Sequence, residues 1–535
     1  MWGELWRVAV VLAALLMALI AGAAQAVTLR VANQGDAQAM DPHALNEALQ
    51  LSLLGNVYEP LVGRDQKLAL TPALATRWLA TSPTVWRFEL RRGVRFHDGT
   101  PLTAADVVFS FQRAAGEGSD MRSYTAAIKA VRAVAGGVAG GGGDDAIEIE
   151  THAPFPILPD VISNVYIMSR AWCEANQATR PVDRRKGIEN AASFKANGTG
   201  AFQLKERQPG TRTVLTRFTG YWAPLATNVT EVVFTPIAND ATRVAALLSG
   251  EIDLMEPVPL QDIARLKANT ALKVLQGPEL RTIFLGMDQQ RDELLYSDVK
   301  GRNPFKDRRV RQALYQAIDI EAIRTRVMRG AATPAALMLG PGVNGYPADL
   351  DHRLPYDPAA AKRLLAEAGY PSGFEVGMNC PNDRYVNDAK IFQAVAANLA
   401  RIGVRIQLQA EAKVTYFPKI LRRQTSFYLL GWTPGTYDAH DVLSAVIATP
   451  TEQGQGQFNL GSYSNKRVDA LIAAVQSETD PARRNALIRE ALELHAKDIG
   501  HIPLHQQALA WGMEKNIALV QPPDNMMPFK WVVVK

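Results

Sequence analysis

The chain has 535 residues, of which 47% are hydrophobic and 21% charged, and a formal net charge of +5 at pH 7. That length exceeds one ordinary domain and asks for two or three cores. The basic excess is spread thinly, with no Lys/Arg block and no interleaved aromatic stripe, which excludes nucleic-acid binding and leaves a mildly basic solvated surface.

From the start of the chain, Met1 to Arg7 is a weakly charged leader, Val8 to about Ala24 is an apolar run, and Ala24-Gln25-Ala26 ends it with small residues. This is the layout of a signal peptide, with cleavage expected after Ala26. An uncleaved anchor is the alternative, because about 17 apolar residues nearly span a bilayer, yet the Ala-x-Ala end has no role in an anchor. No later segment is apolar enough to span, and no cysteine near the cleavage point offers a lipid attachment, so a free periplasmic protein is expected.

Beyond the leader, Thr28 to Asn33 reads as a strand, and Trp86-Arg87-Phe88-Glu89-Leu90 alternates with the period of a half-buried strand. Asp98-Gly99 supplies the turn that closes it. Thr103 then stands three residues before Asp106, the pattern of a hydroxyl cap and a reciprocating acid at a helix start, ahead of Val107 and Phe111. The run Gly136 to Gly143 is too flexible to pack and reads as an exposed loop before the alternating Ile147-Glu148-Ile149-Glu150. It is no phosphate cradle, because the lysine and hydroxyl such a loop needs are missing. Further on, Asp357-Pro358 and Asp480-Pro481 each mark a helix start, Gly369 a helix end, and Ala389 to Ala400, Gly403 and Val404 to Leu408 a helix-to-strand unit of an α/β domain.

Signatures of catalysis are mostly absent: there is no Gly-x-Ser-x-Gly, no His-Glu-x-x-His and no Gly-x-Gly-x-x-Gly. Ser297-Asp298-Val299-Lys300 matches Ser-x-x-Lys without the accompanying Lys-Thr-Gly. His501 and His505 are four apart, but Pro503 between them spoils a shared helix face. Asp438-Ala439-His440-Asp441 offers hard ligands in one loop with no further histidine pair or cysteine nearby. No metal site and no cofactor are expected.

A series of segments carries a family resemblance. Trp86 to Phe111, WRFELRRGVRFHDGTPLTAADVVFSF, resembles the signature region of the family 5 solute-binding proteins, the dipeptide, oligopeptide and nickel binders of ABC importers. The resemblance continues in order through Gly198 to Phe202, Leu247 to Asp253, Asp307 to Leu314 and Leu364 to Tyr370. It implies a two-lobed α/β periplasmic-binding-protein fold of the large type II kind: lobe I at 27–282 with an inserted subdomain at about 64–190, lobe II at 283–502, and a C-terminal return to lobe I at 503–535. It also implies a ligand buried in the cleft by closure, delivery to an inner-membrane permease with separate ATPase subunits, and a monomer. Cys173 and Cys380 fall in different lobes on this partition, where a bridge would prevent opening, so two buried unpaired thiols are expected.

The same resemblance places the ligand wall at Gly431, Trp432, Thr433, Gly435, Tyr437 and Asp438, where an apolar strand runs into a loop of small and aromatic residues. Peptide-binding members have an aspartate three residues beyond the tryptophan to pair with the peptide ammonium; here that position is Gly435. Asp438 is the candidate replacement. Dipeptide binders also carry a carboxylate-pairing arginine ahead of the helix that begins near Ala389; here that position is Asn382, with Arg384 two residues later as the candidate anion partner. A peptide or peptide-like solute is therefore the expected cargo, an opine, sugar or metal chelate the alternative on the same fold. An exported hydrolase and a receptor-linked sensor are the competing functions.

Overall fold

The computed structural model describes residues 26–135 and 145–535. The expected signal peptide, apart from Ala26, and the glycine run from Gly136 to Gly143 lie outside the described residues. Where local chemistry marks an element, that element forms. Thr28–Asn33 and Val85–Leu90 are strands. The Thr103 side chain accepts from the Asp106 amide while Asp106 accepts from the Thr103 amide at 2.8 Å, a complete capping box ahead of helix Ala104–Ala115; such a cap contributes about 1 kcal/mol. Asp357 and Asp480 accept from Ala360 and Arg483 amides, each at 2.8 Å, and start helices Pro358–Glu367 and Pro481–Asp498. In both, proline occupies a first-turn position whose amide has no helical acceptor. Gly403, at φ +88°, turns helix Asp388–Ala400 into strand Val404–Glu411, and a Cβ there would press on the Ser372 carbonyl at 2.9 Å.

Among the described residues an eleven-stranded sheet runs through both lobes. In lobe I, Thr28–Asn33 lies parallel to Glu231–Pro236 on one side and Leu254–Glu256 on the other. In lobe II, Phe427–Trp432 follows Leu272–Met287, and Phe374–Pro381 and Val404–Glu411 extend the sheet in parallel. Two long antiparallel strands, Leu272–Met287 and His501–Glu514, join these halves. Their partners are Leu272 to Pro278 with Ala508 to Glu514 on the lobe I side, and Thr282 to Gly286 with His501 to Gln506 on the lobe II side. The ladder breaks between Pro278 and Thr282.

Both faces of the lobe II sheet are buried, as a parallel-rich sheet covered by helices requires. Ile283, Leu285, Phe427 and Leu429 face one core, and Phe284, Tyr428, Leu430 and Trp432 face the other, the period of two expected for a strand. A third core gathers Leu29, Val31, Phe202 and Trp511 under lobe I. The strands Ala75–Ser82, Val85–Leu90, Ala146–Thr151 and Ile128–Val134 form a separate antiparallel sheet, with Val107 and Phe111 of the capped helix packed among Phe88 and Ile147. The C-terminal segment packs at helix Ala48–Leu54: Phe529 N donates to Asn56 Oδ1 at 2.7 Å, and Met527 N to Ser52 Oγ at 2.8 Å. Both cysteines are buried and free, as expected, and burial pushes the Cys173 thiol up to about 12. No helix among the described residues is long and apolar enough to cross a membrane.

Candidate functional site

A cavity of about 70 Å³ lies between the lobes. Lobe I contributes Asn46 and Glu47 at the start of helix Ala48–Leu54, together with Tyr124 and Asn164. Lobe II contributes Arg384, Tyr385, Phe417 and the segment around Trp432. The crossing strand contributes Arg281, and the C-terminal segment contributes Asp524 and Met526.

Of the residues picked out from sequence, Gly431, Trp432, Thr433, Gly435, Tyr437 and Arg384 all line this cavity. The apolar strand carries Trp432 to the cavity edge, where its indole N–H donates to Asp441 Oδ1 at 2.7 Å and its ring leans on Phe458 at 4.8 Å. Burial pushes the Asp441 carboxyl up to about 7, against the pull of the Trp432 indole and the Thr436 and Gly435 amides. Gly431 is a glycine for lack of room: its amide donates to the Tyr385 hydroxyl at 2.9 Å, and a Cβ would meet Ile283 and Tyr385 at 2.7 and 2.8 Å. The Tyr437 hydroxyl donates to Asp524 at 2.5 Å, and its ring carries the Arg64 guanidinium at 4.4 Å.

Gly435 is filled from the opposite lobe. Asn164 Nδ2 donates to the Gly435 carbonyl at 3.2 Å, and a Cβ on Gly435 would lie 2.7 Å from Asn164 Oδ1 and 3.0 Å from the Tyr124 hydroxyl. An aspartate there would require Asn164 and Tyr124 to shift.

Asp438 requires a correction. It does not line the cavity; its two oxygens accept from Arg484 at 2.7 Å each, Oδ1 also accepts from the His440 amide that it caps, and Oδ2 from Asn344. Burial alone would raise its pKa, but the Arg484 guanidinium overrides this and holds the carboxyl below its usual range. With every lone-pair direction taken inside the fold, Asp438 does not replace the aspartate missing at 435.

Of the charged floor of the cavity, only Arg384 was legible in sequence. Glu47 of lobe I is ion-paired with Arg384 and, at 3.3 Å, with Lys413 of lobe II, while its oxygens also accept the Leu49 and Gln50 amides. Burial would raise the Glu47 carboxyl, but Arg384 and Lys413 outweigh it and hold the group at about 2. Arg281 Nε donates to Glu279 at 2.8 Å. Arg281 Nη2 and Thr433 Oγ1 are buried without a protein partner. Only Glu279-Leu280-Arg281, opposite charges two apart in an otherwise apolar strand, offered a signal for this part of the site.

Ser297 Oγ donates to the Glu375 carbonyl at 2.7 Å, and His501 lies on a strand, 3.0 Å from His495. Among the described residues no group of three or more His, Cys, Asp or Glu could hold a metal ion.

Residues 69–453 match the family model described as bacterial extracellular solute-binding proteins, family 5 middle. The chain belongs to this family. It is thus a bacterial solute-binding protein of family 5. Among curated family 5 relatives, the glutathione-binding protein GsiB of Salmonella choleraesuis (strain SC-B67) is 27% identical over 523 residues, covering 96% of this chain and 95% of its own. GsiB of Escherichia coli O157:H7 is 26% identical over 521 residues, covering 95% and 94%. DppA of Helicobacter pylori, solved with the peptide STSA, aligns with a TM-score of 0.82 at 23% identity, covering 94% of this chain and 97% of that one. AgaA from A. tumefaciens R10, solved with agropinic acid, aligns with a TM-score of 0.83 at 19% identity, covering 95% and 99%. The two-lobed α/β fold expected of a family 5 protein is the fold observed.

Proposed function

We propose that the protein captures a peptide-like solute in the periplasm and presents it to an inner-membrane ABC permease with separate ATPase subunits, acting as a monomer without cofactor or enzymatic activity. Export with cleavage after Ala26 belongs to this reading, as does the partition into lobe I (27–282, with its insertion at about 64–190), lobe II (283–502) and a returning tail (503–535). The observation that carries it is the composition of the cavity: both lobes, the crossing strand and the tail each supply lining residues, so only the closed arrangement assembles the site. A site completed by closure lets the ligand stabilise the closed form, which is the form a permease can distinguish. The peptide-like cargo is supported by relatives named for glutathione and by a neighbour solved with a peptide.

Within that class, the site favours a solute without an ordinary free α-ammonium. Gly435 offers no counter-charge, Glu47 sits between two cations, and Asp524 is engaged by Tyr437; a buried ammonium left unpaired is costly. Unmodified dipeptides are therefore expected to bind poorly, and submicromolar binding of one in calorimetry contradicts this. The broader test is a thermal-shift screen of the mature protein against peptides, glutathione, opines, sugars and metal chelates, backed by mass spectrometry of whatever co-purifies. Stabilisation by a peptide-like compound is expected, and silence across the whole panel removes the capture role.

A further inference from the structure

Arg281 lies at a peculiar place in the chain's path. It belongs to Leu272–Met287, the first crossing strand, and falls inside the interval where the ladder with His501–Glu514 is broken, between Pro278 and Thr282. Four residues on one strand advance against two on the other there, the kind of irregularity that re-aims a side chain away from the regular alternation. Arg281 is 2% exposed and lines the interlobe cavity. Its Nε is used by Glu279 at 2.8 Å, Nη2 is buried without a partner, and Nη1 donates to no protein acceptor among the described residues.

The carboxylates around Arg281 already have protein partners. Glu279 spends one oxygen on Arg281 Nε and the other on the Gln507 amide. Glu256 accepts from Asn33 at 2.7 Å and Asn525 at 2.6 Å. Glu47 is held by Arg384 and Lys413, and Asp383 takes the Lys413 backbone amide at 2.6 Å. A second guanidinium is at hand: Arg384 and Arg281 lie 5.0 and 5.7 Å from the centroid of the same Tyr385 ring, and both line the cavity. A planar guanidinium with a free pair of donors fits a carboxylate bidentately, and burying such donors unpaired is unfavourable.

We infer that Arg281 receives an anionic group of the solute, a carboxylate, at the floor of the cleft, so that the cargo is selected as an acid. This rests on the capture role proposed above and narrows its ligand. The geometry that Arg281 imposes differs from the position ahead of helix Asp388–Ala400, because its guanidinium comes from the strand linking the lobes and not from lobe II alone.

The test uses the purified full mature protein and matched probe pairs: N-acetyl-alanyl-alanine as free acid and as C-terminal amide, and glutathione with its diethyl ester, read by thermal shift and calorimetry. The acid of at least one pair is expected to bind tenfold or more tightly than its neutral partner. Arg281→Gln is expected to erase that preference, and Arg281→Lys to restore part of it. Equal affinity for acid and neutral partner in the unmutated protein overturns the inference without recourse to any variant. A neutral sugar that binds while every acid is silent also overturns it, and leaves the capture role standing. Silence of all these probes overturns the inference, and the wider panel above then decides the capture role separately.

Discussion

Trp432 packs its ring on Phe458 and anchors its indole on Asp441, so its face is presented to the cavity in one orientation. Trp432→Ala is expected to weaken solute binding tenfold or more while the circular dichroism spectrum stays unchanged; unaltered affinity in calorimetry would exclude Trp432 from the site. Glu47 makes a different kind of statement, because its partners belong to the other lobe. Its carboxyl is held at about 2 against an ordinary 4.5. A carboxyl depressed on folding contributes stability that is fully present above the ordinary pKa and is lost as pH falls toward the folded one. Here that window runs from about pH 4.5 down to about 2, and the contribution at neutral pH is about 3 kcal/mol. Because the Arg384 and Lys413 share of this energy spans the cleft, small-angle scattering should show the radius of gyration growing through that window. Glu47→Gln should already show part of the growth at neutral pH, and a curve flat for both proteins refutes the role. The tryptophan segment could be picked out from sequence because its message is local. Glu47 could not, since its ion-pair partner Lys413 is 366 residues away in the chain.

Elements whose ends are written in a few neighbouring residues were legible. Thr103 with Asp106, Asp357 with Pro358, and Asp480 with Pro481 each start the helix they announce, because capping is a contact over three residues. The same local reading misled at Asp438. A carboxylate in a loop after the ligand-wall tryptophan looks available, and only the third dimension brings Arg484 of helix Pro481–Asp498 against it, with both side chains under a tenth exposed. Its task is to tie that helix to the short helix Ala439–Val442 that it caps. Asp438→Asn should therefore cost stability, on the order of 3 kcal/mol for stranding a buried guanidinium. Solute affinity of the folded fraction should change less than threefold. Denaturant titration and calorimetry together check this, and a loss of affinity at unchanged stability would return Asp438 to the ligand wall.

At the scale of the molecule, the two-lobed plan could be read from an ordered series of family segments, while of the cavity only the lobe II wall and Arg384 could. The series fixes which strands exist; it does not say which side chains from distant segments arrive at one point. The crossing strands explain the difference. They pair with each other in both lobes, with a register shift between Pro278 and Thr282, beside which Gln507 of the second strand pairs with Ala332. On the capture role proposed above the lobes part about this irregularity, which keeps Arg281 near the pivot. Asn164, out on lobe I, leaves the Gly435 carbonyl as they do. The pathway of capture then has an order in time: an arriving solute meets the pivot before the far wall swings onto it. Stopped-flow measurements with a bound probe should show Arg281→Lys slowing association several-fold and Asn164→Ala hastening release, and the opposite division of the two rates rules this order out. A binding event with a fixed first contact is decided at the hinge, and closure only sets how long the solute stays.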